Sequence, residues 1–377
     1  MSQEMELKLP LETETRRREE RPGKINPKLR PYKEQFDELL RESFRKKASD
    51  IHLTVGLPPV FRVNGELNEV LSEEVLENKT ISMYARVMCN AGQWAEFKEN
   101  GEVDLAYEVT DASRFRVNIF KQKGNVSIAL RIIATKIPEL SSLGVPDILK
   151  SMIQKKQGLF LVTGPTGSGK STTLASMIDY LNKTKKTHII TLEDPIEYVH
   201  NHHMSVIDQR EVGADTESFA NGLRASLRQD PDIILVGELR DFDTISIALT
   251  AAETGHLVLG TLHTTSAAAT IERIVDVFSP EQQSQIRTQL AGALVGILAQ
   301  RLLPTHDFNG RVAATEMLVN NKSIANLIRG NKTHQIANML QTGKSEGMYT
   351  MESCVHQLMN SGKVDLDAAE ALLGEGE

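Results

Sequence analysis

Glycines and a lysine at fixed spacing carry the first chemical signal in this chain. Residues 164–171 read Gly164-Pro165-Thr166-Gly167-Ser168-Gly169-Lys170-Ser171, which satisfies the phosphate-loop pattern G-x-x-x-x-G-K-[ST] in full. The apolar run Leu159–Val162 precedes the loop and a helical stretch follows it, so the pattern stands at a strand-to-helix junction. Glycines there let backbone N–H groups converge on phosphate oxygens, and the helix N-terminus adds partial positive charge. Lys170 is expected to reach the β and γ phosphates of ATP and the Ser171 hydroxyl to ligate magnesium, with Thr172 closing the ATP-binding stretch.

Hydrolysis needs more than a cradle, and two acids end probable strands: Glu193 in Thr191-Leu192-Glu193-Asp194-Pro195 and Glu238 after Ile233–Gly237. In phosphate-loop folds the neighbouring strands deliver acids beside the γ-phosphate, where one polarises the attacking water and another holds the metal, directly or through water. The usual aspartate is absent because the run closes on Gly237-Glu238, so the two acids can exchange duties, with Glu238 and Ser171 as the candidate magnesium ligands. His256 and His263 bracket Leu257–Leu262. Strand polarity puts His263 at the carboxyl end, where open α/β sheets bind ligands, and makes it the better γ-phosphate sensor. His256 alone reads equally as a core or capping histidine. His200, His202 and His203 lie in a polar stretch and read as an exposed loop rather than a metal site. Arg114, Arg116 and Arg131 on short strands, and Arg224 and Arg228 at i, i+4 spacing on a helix, suit either transition-state charge neutralisation or the surface.

The elements that must position these groups follow from pattern. With 377 residues, 40% apolar and 25% charged, the chain has room for two domains with separate cores. No apolar run approaches the roughly eighteen residues of a membrane span, and the first residues lack the basic-then-apolar order of a secretory signal. Two distant cysteines, Cys89 and Cys354, exclude a disulfide framework and a four-cysteine zinc site, and fit a reducing, cytoplasmic setting. A formal charge of −7 disfavours nucleic acid as the main partner.

Residues 1–32 are nearly half charged, hold four prolines and show no apolar period, so a disordered tail is expected there. Phe36, Leu39, Leu40 and Phe44 then recur at helical spacing. Alternating runs at 51–55, 60–63, 104–109, 114–120 and 127–133, with one helix over Ile81–Glu99, predict a small α+β domain over 33–134. Two prolines and little periodicity mark 135–148 as a linker. From 149 onward apolar runs at 159–163, 188–192, 233–236 and 256–261 alternate with helices near 170–181, 216–228, 242–253 and 267–277. Such unalternating runs suit a parallel sheet buried on both faces. After Ser279-Pro280 the remainder, to 377, reads as mostly helical.

Several blocks together resemble one family, the secretion and type IV pilus ATPases. They are Ala48–Leu53, Ser113–Asn118, Gly164–Thr173, Thr191–Glu197, Asp208–Gly213, Leu227–Asp241 and Thr254–Thr264, and the resemblance covers about residues 33–370. Gln209-Arg210-Glu211-Val212-Gly213 is similar to the pilus-retraction branch, and the chain has room for neither the longer N-terminal module nor the four-cysteine site of the polymerising relatives. The resemblance implies a PAS-like N-terminal domain and a RecA-like ATPase domain with a helical C-terminal part, arranged as a homohexamer. It also implies Glu193 and Glu238 as catalytic acids, His256 and His263 as phosphate sensors, and Arg114, Arg116 and Arg131 as arginines brought to the nucleotide. An inner-membrane pilus platform protein, and through it the pilin filament, would be the partners of a cytoplasmic, membrane-peripheral motor. One block departs: Ala325 and Gly330 in Ser323–Gly330 stand where the retraction branch has arginine and glutamate, which keeps an assembly or accessory role as the competing reading.

Overall fold

The computed structural model describes residues 27–374 apart from 64, 111, 134 and 135, and the chain divides into two units, Met1–Ile132 and Ile133–Glu377. Residues 1–26, most of the expected tail, lie outside the described residues. Helix α1 (Arg30–Arg45) starts inside that expected tail, with Pro31 in its first turn. Proline is harmless there because first-turn N–H groups have no intrahelical acceptor.

In the first unit, β1 (Asp50–Leu53), β2 (Val60–Val63) and β3 (Glu66–Glu69) precede α2 (Asn78–Met88) and α3 (Ala91–Asn100). Strands β4 (Glu102–Glu108), β5 (Arg114–Gln122) and β6 (Asn125–Ile132) follow and complete an antiparallel sheet in the order β3-β2-β1-β6-β5-β4. Where periodicity predicts one helix over Ile81–Glu99, the chain forms two. Cys89 turns extended, and the Asn90 side chain accepts the Gln93 N–H while the Gln93 side chain accepts the Asn90 N–H, a reciprocal cap that starts a new helix. Alternation on β5 sends Phe115, Val117 and Ile119 into a core shared with Phe36 and Leu40 of α1 and Ile81 and Tyr84 of α2. The intervening Arg114 and Arg116 take the opposite face.

The second unit runs α4 (Ile148–Met152), β7 (Gly158–Thr163), α5 (Lys170–Thr184), β8 (His188–Glu193), β9 (Val206–Glu211), α6 (Phe219–Ser226), β10 (Ile233–Val236), α7 (Phe242–Glu253), β11 (Leu257–Leu262), α8 (Ala267–Asp276) and α9 (Pro280–Ala293). Then come β12 (Leu294–Pro304), β13 (Arg311–Val319), α10 (Lys322–Arg329), α11 (Ile336–Thr342), α12 (Met351–Asn360) and α13 (Leu366–Gly374). The sheet order is β13-β12-β7-β11-β10-β8-β9, parallel throughout except for β13. Successive residues of each central strand enter different cores. Leu159, Leu161, Ile190 and Val236 pack with α7, α8 and α9, whereas Phe160, Val162, Ile189 and Leu235 pack with α5. Covered faces on both sides are why these strands read as continuous apolar runs.

Three strands of this sheet escape the sequence pattern. β12 and β13 replace the helical remainder expected after Pro280: α9 passes into β12 with no intervening turn, and Ile286, Leu290, Leu294 and Ile297 keep a helix-like spacing across the junction. β9 is an edge strand whose sequence, Val206-Ile207-Asp208-Gln209-Arg210-Glu211, offers only Ile207 as a buried apolar residue. The stretch expected as a linker is also packed. Leu140 is buried with Leu149 and Ile178, and the Ser176 hydroxyl on α5 donates to the Pro138 carbonyl at 2.8 Å.

Candidate active site

The loop between β7 and α5 is shaped as much by its neighbours as by its glycines. Gly164 adopts φ +145°, and a Cβ there would lie 2.2 Å from the Gln300 carbonyl oxygen on β12. Gly169, at φ +87°, caps α5, and its Cβ would lie 2.7 Å from the Gln300 side-chain nitrogen. An L side chain is strained at either φ, and at Gly164 it would also have to displace the backbone of β12. The buried Gln300 amide clamps the loop to the helix: Nε2 donates to the Ser168 carbonyl at 2.7 Å, and Oε1 accepts the Thr173 hydroxyl at 2.9 Å. Lys170, the first residue of α5, is buried, and its ammonium donates to the Gly164 and Pro165 carbonyls at 2.8 and 3.0 Å. Burial pushes its pKa down, against the pull of Glu238 and Glu197. A glycine-rich loop opening on a helix N-terminus beside a cation is a polyphosphate cradle.

Parallel neighbours of β7 bring the acids to the same end of the sheet. β8 ends on Glu193, β10 leads into Gly237-Glu238, and β11 leads into His263. The Gly237 N–H donates to Leu192 at 2.8 Å and the Leu239 N–H to Thr261 at 2.9 Å, which stitches these strand ends together. Glu193 Oε1 accepts the Thr191 hydroxyl at 2.7 Å and Gln209 Nε2 at 3.0 Å. Burial raises the Glu193 pKa above the ordinary carboxylate value despite those two donors and the Glu197 N–H. Glu238 Oε1 lies 3.3 Å from His263 Nε2 and 3.1 Å from Arg240 Nε. The resulting cleft, about 500 Å³, is lined by Thr166, Gly167, Gly169 to Thr172, Glu193, Glu238 and His263. Tyr198 closes one side, its hydroxyl 2.9 Å from that of Thr172, and Leu302 and Arg311 of the β12–β13 hairpin another. Two acids facing a phosphate cradle can hold a hydrated metal and polarise a water.

Two histidine readings need correction. His256 precedes β11 at its amino end, next to Gly158 at the start of β7, so the strand separates it from the cleft by six residues, roughly 20 Å at the usual strand rise. Its Nδ1 lies 3.1 Å from the Ala251 carbonyl, which only accepts, so the ring caps the end of α7. His200, read as exposed, is half-buried and lines the cleft, and burial lowers its pKa to about 4. His202 and His203 are exposed, as expected of a loop.

Arg114, Arg116 and Arg131 belong to the first unit and share one face of its sheet. Arg131 stands opposite Arg116 in the ladder, and Asp50 opposite Arg131. Arg131 Nε lies 2.8 Å from Asp50 Oδ1. Burial pushes the Asp50 pKa up, but the Arg131 and Ser49 hydrogen bonds outweigh it and hold the carboxyl below its usual range. Arg224 is exposed on α6, but the helix ends at Ser226, so Arg228, expected on the same helix, is exposed in the turn that follows it. Ala325 is buried on α10 within the core shared with Leu290 of α9.

Sequence reasoning missed Gln300, Tyr198 and Arg311, because the first and last stand on strands that it read as helix. It noted Gln209 only as part of a block.

The family model described as "Type II/IV secretion system protein" matches residues 27–367. The chain is 47% identical over 332 residues to the "Type IV pilus retractation ATPase PilT" of Pseudomonas aeruginosa, covering 88% of this chain and 96% of that protein. It is also 47% identical over 331 residues to a "Twitching motility protein" of Neisseria gonorrhoeae, covering 88% of each. Among solved structures, the pilus retraction motor PilT with bound ADP superposes with a TM-score of 0.83 at 48% identity, covering 88% of this chain and 95% of that one. With its phosphate cradle, paired acids and sheet order on the same chain as these matches, the protein belongs to the type II/IV secretion system protein family.

Proposed function

We propose that this chain is an ATP-hydrolysing motor that powers pilus retraction. The observation that carries the reading is the convergence of a phosphate cradle and two acids, Glu193 and Glu238, on one cleft at the carboxyl end of a parallel sheet. Near-full-length similarity to proteins named for retraction and twitching supports the direction of work.

In this reading Lys170 and the first turn of α5 hold the β and γ phosphates. Glu193, pinned at Oε1 and made more basic by burial, accepts the proton of the attacking water as the γ-phosphoryl transfers and ADP leaves. His263, beside Glu238, senses the γ-phosphate. Ser171 and Glu238 fit a magnesium ion: both offer hard oxygen donors, and both line the cleft at the phosphate cradle. When bound, magnesium supplies neutralisation of phosphate charge.

The arginines enter by assembly. Arg114, Arg116 and Arg131 lie on one face of a separate unit, as a PAS-like domain that docks beside the RecA-like domain of a neighbouring copy would present them. A homohexameric ring of this kind would couple closure on ATP to movement of an inner-membrane platform protein, returning pilin to the membrane. Among the described residues no helix is long and apolar enough to cross a membrane, and a cytoplasmic, membrane-peripheral ring reached through partners suits the role. Deleting the gene should leave cells hyperpiliated and unable to twitch. Bare cells would overturn retraction in favour of an assembly role, the alternative that Ala325 and Gly330 keep in view.

A further inference from the structure

Gln209 opens the block Gln209–Gly213 that resembles the retraction branch, and it stands on the edge strand β9. In the structure Gln209 reaches from β9 into the acid's surroundings and commits both its amide nitrogen and its oxygen there. One Nε2 hydrogen meets Glu193 Oε1 at 3.0 Å, and Nε2 also donates to the Tyr198 carbonyl at 2.8 Å. Oε1 accepts the His200 N–H at 2.8 Å. Turning the amide over would set oxygen against a carboxylate and a carbonyl, so the three contacts fix its orientation.

We propose that Gln209 is the positioning residue of Glu193, holding the acid and the loop behind it in one geometry. The inference rests on the reading of Glu193 as the group that polarises the attacking water. Two side-chain donors, Thr191 Oγ1 and Gln209 Nε2, converge on Oε1, and the Glu197 N–H adds a hydrogen bond to the same carboxylate. Thr191 and Glu197 are near neighbours of the acid along the chain, so of these three donors Gln209 is the one that anchors it to another strand. The same amide gathers residues 198–200, and the Tyr198 hydroxyl meets Thr172 on the first turn of α5, so loop, acid and phosphate helix are tied through one side chain. Glutamine suits the task better than a charged donor. It holds the carboxylate without neutralising it, and a base must keep its affinity for a proton.

The test uses the full-length assembled protein, magnesium-ATP turnover, the affinity for a fluorescent ATP analogue, and thermal melting without nucleotide. Gln209→Leu should lower kcat about tenfold or more, the effect of losing a hydrogen bond to a charged group, with analogue affinity within about threefold. Gln209→Asn, whose amide is one methylene too short to reach Glu193, should do the same and stands in if the leucine variant does not fold. In a Glu193→Gln background, whose residual turnover is measured at high enzyme concentration, either change should cost less than about twofold, because both act through one carboxylate. Unchanged kcat, an equal loss in kcat and affinity, or an undiminished effect in the Glu193→Gln background would overturn the role. Wild-type turnover by Glu193→Gln itself would instead overturn the reading of Glu193 beneath it.

Discussion

Replacing Gln300 by leucine tests whether β12, a strand invisible in the sequence pattern, builds the phosphate loop. The change removes two buried hydrogen bonds, to the Ser168 carbonyl and from the Thr173 hydroxyl. Thr173 can recover by donating to a carbonyl one turn earlier in α5, so its share is small. Ser168 is 3% exposed, and its carbonyl loses the Gln300 donor with little water to replace it, at a cost of about 1–3 kcal/mol. Taking ~2 kcal/mol, the nucleotide-free melting transition of the second unit should fall by about 4–8 °C, since each kcal/mol moves a domain of this size by roughly 2–4 °C. Freed of its clamp, the loop must also be ordered when phosphate binds. ATP affinity, by isothermal titration, should weaken about tenfold, and kcat at saturating ATP should change by less than about threefold. Melting within about 1 °C of the parent together with affinity within about twofold would refute the clamp. A loss of kcat at unchanged affinity would refute its placement at the cradle.

Lys170→Ala removes the buried ammonium at the mouth of the loop, and nucleotide affinity should fall about a hundredfold, equivalent to ~2.7 kcal/mol, measured with the same analogue. Retained tight binding would place the phosphates elsewhere. Glu238→Gln keeps shape and an acceptor for His263 while removing the charge. ATP should still bind within about threefold, and phosphate release should fall about a hundredfold or more. Rapid multiple turnover by this variant would remove Glu238 from the chemistry.

The distribution of signal along the chain has a physical cause. Groups that chemistry places at the end of a buried parallel strand announce themselves, because the strand is an unbroken apolar run and the polar residue after it has one location. Lys170, Ser171, Glu193, Glu238 and His263 are all of this kind, and all line one cleft. His256 carries the same composition at the other end of the same strand, where the parallel pairing of Leu257 with Gly158 holds it away from the cleft.

By itself the sequence determined the phosphate loop, the acids beside it and the alternation of strand and helix around them, because local spacing and burial on two faces leave their period in the residues. Tertiary structure alone decided the rest. β12 keeps a helical spacing yet pairs beside β7, since the open edge of a parallel sheet outweighs the local pattern, and that pairing delivers Gln300 to the loop. β9 carries almost no apolar signal because it is an edge, and it is β9 that delivers Gln209 to Glu193. Side chains that position a catalytic group act across strands, over 16 residues for Gln209 and 132 for Gln300, and contacts at such separations leave no period to read.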